Sequence, residues 1–480
     1  MLPELKGYIL SLVYGLLCLA LAVILHKLGV SKVYCRKAVH ILVGFEWVIL
    51  YAFMGTSIHF LIVCLAFLAL LSVIYFKRFL PMISSDGDNA PGTVYYCVAM
   101  SIMAFICLFV PKMVLPFGIG VFCTSFGDGF AGLVGQSIKK YNPKIFRNKT
   151  LFGALANFVF SFASAELLNL FFDMGLEAWH CILIALLSVM LELIGAFGLD
   201  NILITLATAF LAYAFMYLPW INYYLLPIML TPLVIILVIQ KKALTSRGLI
   251  AALLLDLVIS VTLWNFGFIL LLSFLFGSII IDKIKKLGRC EDTISKKGEC
   301  RDEMQVIANG LIPMMLAVLY YFTLRPAYIV AYVAVLAEAF ADTAASGLGV
   351  FSKKTFDLFK MRKCEKGISG GMSLVGTSAS LCAAAAFPLL VIPFGIKSIS
   401  FMIVVTAAAF MGVLFDSMLG SLLQIKYRCQ VCSSLTERED HCGVATVKES
   451  GVKYVDNDVV NISSAVFSAC VAIVFTLLFL

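Results

Sequence analysis

The sequence predicts an all-α, polytopic integral membrane protein, and three observations carry that prediction. The 480 residues are 62% hydrophobic and only 13% charged, where a soluble domain carries about 25% charged residues. Apolar stretches of roughly 17–25 residues, the length of a bilayer-crossing helix, recur along the whole chain. The basic residues sort onto alternate loops, as they do in membrane proteins. Short alternating strands, which a membrane β-barrel requires, do not occur.

The first stretch, "MLPELKGYILSLVYGLL", has one lysine and no small-residue cleavage site. It reads as a spanning helix, not a signal peptide. Spans follow near 8–26, 39–54, 59–76, 93–110, 115–136, 151–171, 180–198, 201–218 and 222–240. A second set lies near 248–263, 265–281, 304–323, 326–347, 369–393, 398–424 and 459–480, roughly sixteen in all. With sides alternating, Lys6, Lys112, Arg325 and Lys397 fall on one side, and the other 32 of 36 Lys and Arg on the other. The basic loops, and any active-site loops among them, are then expected to face the cytoplasm, with both termini non-cytoplasmic. Topology and contact with anionic headgroups or phosphates account for the net charge of +8. Membrane lipids are the expected partners, and nucleic acid is not.

Of the 15 cysteines, Cys18, Cys64, Cys107, Cys123, Cys181, Cys382 and Cys470 fall inside spans, where a thiol acts as a small hydrophobe. Cys290, Cys300, Cys364, Cys429, Cys432 and Cys442 fall in basic-side loops, where disulfides are not expected. The basic junction "VIQKKALTSRGLIAA" divides the spans into nine and seven, so two membrane domains are expected, 1–240 and 241–480.

Each half places an aspartate among small residues at a span's end, then a basic loop, then a Gly-containing helix start. In the first half Asp128 sits between Gly127 and Gly129, glycines that would let a phosphate or a metal's water shell approach the backbone. A carboxylate at membrane depth is costly and is usually paired with a cation or metal. Lys149-Thr150 stands at a helix start, where free N–H groups and the dipole favour an anion. An aspartate for Mg²⁺ and a lysine for phosphate are parts that phosphoryl transfer needs; a helix-packing seam with topology-setting lysines is the plainer reading. Arg36, Lys37 and His40 open another span, with Glu46 inside it. Asp86 and Asp88 lie in a turn-rich loop that suits either a metal or solvent. Glu192, Asp200 and Asn201 lie toward the same side, and Asp200-Asn201 also suits a helix cap.

"RKAVH" (36–40), "GTVYY" (92–96), "GDGFAGLVG" (127–135), "NKTLFG" (148–153) and "LDN" (199–201) keep the order and spacing of the phytol kinase and dolichol kinase family. That family is related to the membrane phosphatidate cytidylyltransferases, and the resemblance covers about 30–220. It implies phosphorylation of a long isoprenoid alcohol by a nucleoside triphosphate, typically CTP. It also implies that Asp128 binds the metal–triphosphate and Lys149 the phosphates, with Arg36, Lys37 and His40 near the reaction centre. The chain departs from the family at "APGTVYY", where an arginine often precedes the glycine, and at Gly132, where many members have Asp.

In the second half Asp342, with Thr343 and Ser346, precedes the basic residues Lys353, Lys354, Lys360, Arg362, Lys363 and Lys366. "GISGGMSLVGTSAS" then offers Gly367, Ser369, Gly370, Gly371 and Ser373 as a phosphate cradle. Asp416 is a further carboxylate within a span. Asn457 or Asp458 could cap the last helix, and an internal polar pair or packing seam would explain Asp342 and Asp416. "RDEMQVIANG", "ADTAASGLG", "DSMLGSLLQ" and "NDVVNISS" make 241–480 similar to an integral-membrane family that includes plant phytyl-phosphate kinase. That resemblance implies conversion of a prenyl monophosphate to the diphosphate. Its site candidates are Asp342, Ser346, Gly370, Gly371, Asp416, Asn457 and Asn461, with Gln305 and Asn309 behind them.

Cys429, Cys432, His441 and Cys442 supply four soft ligands, the set of a structural Zn²⁺ site. Free loop thiols are the other reading, because only one C-x-x-C is present and adjacency hinders joint ligation by His441 and Cys442. The two resemblances together imply a two-step isoprenoid salvage kinase using CTP or another triphosphate, with Mg²⁺ expected at Asp128, Asp342 and Asp416. A cytidylyltransferase acting on a lipid phosphate is the neighbouring enzyme class. A transporter or flippase is the alternative of another kind, favoured by Asp256, Glu166 and Glu338.

Overall fold

The computed structural model describes residues 3–77, 79, 91–138, 140–195, 198–287, 300–352, 354–357, 359–364 and 368–480. Asp86, Asp88, Lys353, Lys366 and Gly367 lie outside them. Among the described residues 14 helices are long and apolar enough to cross a bilayer, so the chain is an all-α, multi-pass membrane protein. Ala178–Ile194 is a further apolar helix of only 17 residues.

Ser246–Leu287 runs for 42 residues, about twice what one crossing needs. Trp264 breaks it, with φ 56° and ψ −146°. The chain folds back there. Arg301 bridges through its backbone to Leu244, just before the helix. Its guanidinium lies 3.6 Å from Asp282, near the far end. A straight helix would hold those two ends roughly 55 Å apart. The segment is therefore a helical hairpin of two crossings, matching the sequence division between 263 and 265.

The chain divides into two compact units, Met1–Gln240 and Lys241–Leu480. In the first, the span Pro111–Ser137 is the most enclosed, with 72% of its apolar window buried. It is α-helical over Val114–Phe122, widens into a π-helical turn at Cys123–Asp128, and resumes as Gly129–Ser137. Lys32–Val43, Leu151–Phe172, Ala178–Ile194 and Asp200–Tyr217 pack around it, and Trp47, Phe60, Phe117, Ile184 and Ile204 fill the core. In the second unit Pro326–Gly349 holds the central place, with 67% of its window buried. Its alanine-rich run lets Leu374–Ala386, Ile399–Leu422 and Asn457–Phe479 approach closely.

One local construction occurs in both units. Thr150 caps Leu151–Phe172 by accepting from the Gly153 amide at 3.3 Å. Ser373 caps Leu374–Ala386 by accepting from the Gly376 amide at 3.1 Å. A methyl on Gly153 would meet the Ala131 carbonyl oxygen at 3.0 Å, and one on Gly376 the Ala345 carbonyl oxygen at 2.9 Å. Ala131 stands three residues after Asp128, as Ala345 does after Asp342. Each cap follows a short hairpin, β1 (Lys144–Phe146) with β2 (Lys149–Thr150), and β3 (Phe356–Asp357) with β4 (Arg362–Lys363). The close approach beside the aspartate is thus built twice.

Candidate active site

Asp128 ends the π-helical turn, a wider turn of the kind that re-aims side chains and recurs at functional sites. It is buried. Lys37 Nζ donates to its Oδ2 at 2.7 Å and to its carbonyl oxygen at 3.1 Å. His40 Nε2 lies 3.5 Å from the same Oδ2 and 3.2 Å from the Thr124 carbonyl oxygen. Lys37 and His40 meet Asp128 together because they stand three residues apart on one face of Lys32–Val43. Gly132 makes room for this pair: a Cβ there would lie 3.1 Å from Lys37 Nζ.

A second ion cluster stands beside the first. Lys149 Nζ lies 2.6 Å from Glu192 Oε1 and 3.4 Å from Asp200 Oδ2. Burial disfavours the Lys149 ammonium, but the Glu192, Asp128 and Asp200 carboxylates outweigh it and raise its pKa above the ordinary lysine value. Asp200 is not the cap of its helix, where Leu199 holds the cap position; its carboxylate faces the Lys149 ammonium. Asn201 donates to the Gly92 carbonyl at 2.9 Å, joining the "LDN" and "GTVYY" stretches.

Both clusters line one cavity of about 520 Å³, within the roughly 300–1,000 Å³ of small-molecule sites. Arg36, Lys37, His40, Asp128, Lys149, Glu192, Asp200 and Asn201 form its polar part. Leu19, Val43, Leu50, Phe67, Leu71 and Met100 supply its apolar lining, and the buried Glu46 also lines it.

The structure gives other expected residues different work. Gly127 and Gly129 do not line the cavity; they accommodate Ser161 with Asn157, and Ile41, as packing positions. The helix start after Lys149 does not present free amides. Leu151 N donates to the Pro143 carbonyl at 2.9 Å, Phe152 N to Asn142 Oδ1 at 3.1 Å, and Gly153 N to Thr150. An anion here would rely on side-chain cations.

In the second unit Asp416 lies on Ile399–Leu422, which packs against the Pro326–Gly349 helix that carries Asp342 and Glu338, and Gly412 abuts the Glu338 side chain. Glu338 and Asp342 share a helix face, four residues apart. Ser346 bonds back to the Thr343 carbonyl, Asn309 to the Gln305 carbonyl, and Asn461 receives Ser464 through its own carbonyl. Asp456, not Asn457 or Asp458, caps the last helix.

The Gly/Ser loop is locked from both sides. Gly370, at φ 82°, abuts Ser421. Gly371 N closes a turn onto Ile368 at 3.0 Å. Ser369 hydrogen-bonds the Glu437 carboxylate, while its carbonyl accepts from Lys426 Nζ at 2.6 Å. Burial and the neighbouring Lys360 push Lys426 below the ordinary lysine pKa. Asp357 accepts from Ser421 Oγ at 2.7 Å and from Lys360 N at 3.0 Å. Sequence reasoning missed Glu437, Lys426 and Asp357, whose partners lie 57–68 residues away. Among the described residues, one group of three or more His, Cys, Asp or Glu converges tightly enough to hold a metal: Cys429, Cys432, His441 and Cys442.

The fold and site define a multi-pass membrane protein whose first unit holds a cavity lined by charged and apolar side chains. The chain belongs to the integral membrane protein family DUF92, whose model matches residues 229–469. It is 31% identical over 203 residues to an uncharacterised membrane protein of Methanocaldococcus jannaschii, covering 40% of this chain and 80% of that one. An uncharacterised membrane protein of Synechocystis sp. is 29% identical over 216 residues, covering 44% and 82%. A phytol kinase of Synechocystis sp. is 29% identical over 149 residues, covering 30% of this chain and 62% of the kinase. No solved structure matches the chain.

Proposed function

We propose that the first unit is a prenol kinase, transferring the terminal phosphoryl group of CTP or another nucleoside triphosphate to a long isoprenoid alcohol. The observation that carries this reading is that one cavity is lined both by two clusters of charged side chains and by a set of apolar ones. A lipid alcohol has the same two-part character. Similarity to a phytol kinase supports it.

The alcohol oxygen attacks the terminal phosphorus, the bond to the bridging oxygen breaks, and the nucleoside diphosphate leaves. Phosphoryl transfer of this kind depends on positioning and charge neutralisation. Arg36, Lys37 and Lys149 meet the phosphate oxygens, and His40 takes the alcohol's proton. Asp128 and Asp200 are hard carboxylates on the wall of the same cavity and would hold Mg²⁺ carried in with the triphosphate. Bound Mg²⁺ would neutralise charge on the transferring group. Phe67, Leu71 and Met100 hold the isoprenoid chain away from water. The second unit, with Asp416 on the helix whose Gly420 abuts the Ser369–Gly371 loop and Asp342 on the helix packed against it, is assigned the second phosphorylation, monophosphate to diphosphate. The basic loops are assigned to the cytoplasm.

Purified protein in lipid nanodiscs, given Mg²⁺, prenyl alcohols and each triphosphate in turn, tests the reading by product mass. Monophosphate followed by diphosphate is expected. A CDP-linked lipid would mean cytidylyl transfer instead. Flux of a substrate without nucleotide turnover would mean transport, a role that Glu338, Asp342 and Asp416 within spans also suit.

A further inference from the structure

Residues 425–451 form a small lobe of short strands between two spans of the second unit. β5 (Lys426–Arg428) pairs with β6 (Leu435–Thr436) and β9 (Val447–Ser450), and β7 (Asp440–His441) pairs with β8 (Val444–Ala445). The lobe has little apolar interior. Val431, Val444 and Val447 are exposed, while Ile425 and Cys429 are buried. A segment under about 40 residues normally needs a metal or disulfide to hold its shape.

We propose that one Zn²⁺, bound by Cys429 Sγ, Cys432 Sγ, His441 Nδ1 and Cys442 Sγ, staples this lobe and so fixes Glu437 and Lys426 against Ser369. The four ligand atoms lie within 4.8 Å of one another. His441 Nδ1 is 3.4 Å from Cys432 Sγ and 3.3 Å from Cys442 Sγ. Tetrahedral zinc, with Zn–S of about 2.3 Å and Zn–N of about 2.1 Å, sets an S···N edge of about 3.6 Å. Three thiolates and an imidazole are a soft set that suits zinc.

The backbone is shaped for both ligand pairs. Ser433 N closes the first turn onto the Cys429 carbonyl at 3.0 Å. Val431 N donates to Cys429 Sγ at 3.4 Å, a contact that favours a thiolate. The second pair sits at the β7–β8 turn, where Cys442 and Gly443 have φ 54° and 77°. Two left-handed residues make a type I′ hairpin, normally the place of Asn, Asp or Gly. The left-handed turn at Cys442 lets the adjacent His441 and Cys442 face one point together, which resolves the difficulty that their adjacency raises in sequence.

The staple has a consequence at the Gly/Ser loop. The strand entering the first ligand pair carries Lys426, which holds the Ser369 carbonyl. The segment between the two ligand pairs carries Glu437, which receives Ser369 Oγ and, at 3.0 Å, Gln424 Nε2. Zinc joins the two ends of this arrangement.

The test is metal content, intact mass and hydrogen exchange on the purified full-length protein. One zinc per chain is expected, retained by Cys300→Ser and lost from Cys432→Ser. Chelation of the folded wild-type protein should raise exchange at 368–371 and 425–451 while leaving Pro326–Gly349 protected. Zinc-free wild-type protein, or a chain lighter by two hydrogens from a Cys429–Cys432 disulfide, would overturn the site. Zinc removal without change at 368–371 would overturn its positioning role.

Discussion

Lys37 and Asp128 form an ion pair at 2.7 Å with side chains 13% and 7% exposed, 91 residues apart in sequence. Truncating one partner leaves the other charge buried, which costs on the order of 3–5 kcal/mol. Asp128→Asn and Lys37→Met should each lower the melting temperature in detergent. The double variant should recover most of that loss yet make no prenyl monophosphate. If the double variant is as unstable as the worse single one, the pair is not coupled as described.

Substitution of His40 separates a chemical role from a packing role. His40→Ala should cut turnover by roughly 10²–10⁴-fold with little change in the KM for nucleotide, the range for loss of a general base. A raised KM with unchanged kcat would assign His40 to binding instead.

The Lys149 cluster carries a pH expectation. Its folded pKa is raised, so its stabilising contribution is complete below the unfolded lysine value of about 10.4 and is lost only as pH rises through the folded value. Between pH 7 and about 9.5, Lys149→Arg should give a pH–rate profile parallel to wild type. Lys149→Met should lose activity at every pH, since Glu192 and Asp200 then stand without this cation. An alkaline limb that moves in Lys149→Arg would show that Lys149 titrates in that window.

Filling the apolar side of the cavity lining should change chain-length preference before it changes chemistry. Leu71→Trp is expected to lower kcat/KM for a twenty-carbon alcohol about tenfold relative to a ten-carbon one, the scale of one misfitted apolar contact. Equal losses on both alcohols would remove the apolar lining around Leu71 as the chain's binding place.

Hydropathy and charge placement made the helices legible, because a bilayer imposes length and composition on every crossing. The reversal at Trp264 was legible too, as a division between two apolar runs. The π-helical turn at Cys123–Asp128 was not, since its small and apolar residues suit an α-helix equally. Asp128, Lys37, His40 and Lys149 were visible as motif residues, but the pairing of Lys149 with Glu192 depends on packing between segments 43 residues apart. Gly127 and Gly129 looked like ligand-facing glycines because sequence cannot distinguish space left for a phosphate from space taken by Ser161 or Ile41. Glu437 gave no signal; only the fold of its lobe carries it to Ser369.

The glycine set against a carbonyl oxygen, Gly153 on Ala131 and Gly376 on Ala345, gives the molecule an internal control. Gly153→Ala and Gly376→Ala should each cost about 1–3 kcal/mol by overpacking. Made one at a time, each perturbs a single copy and leaves the other intact as its reference within the same polypeptide. Hydrogen exchange read at both copies in one sample would then report how independently the two units hold their shape.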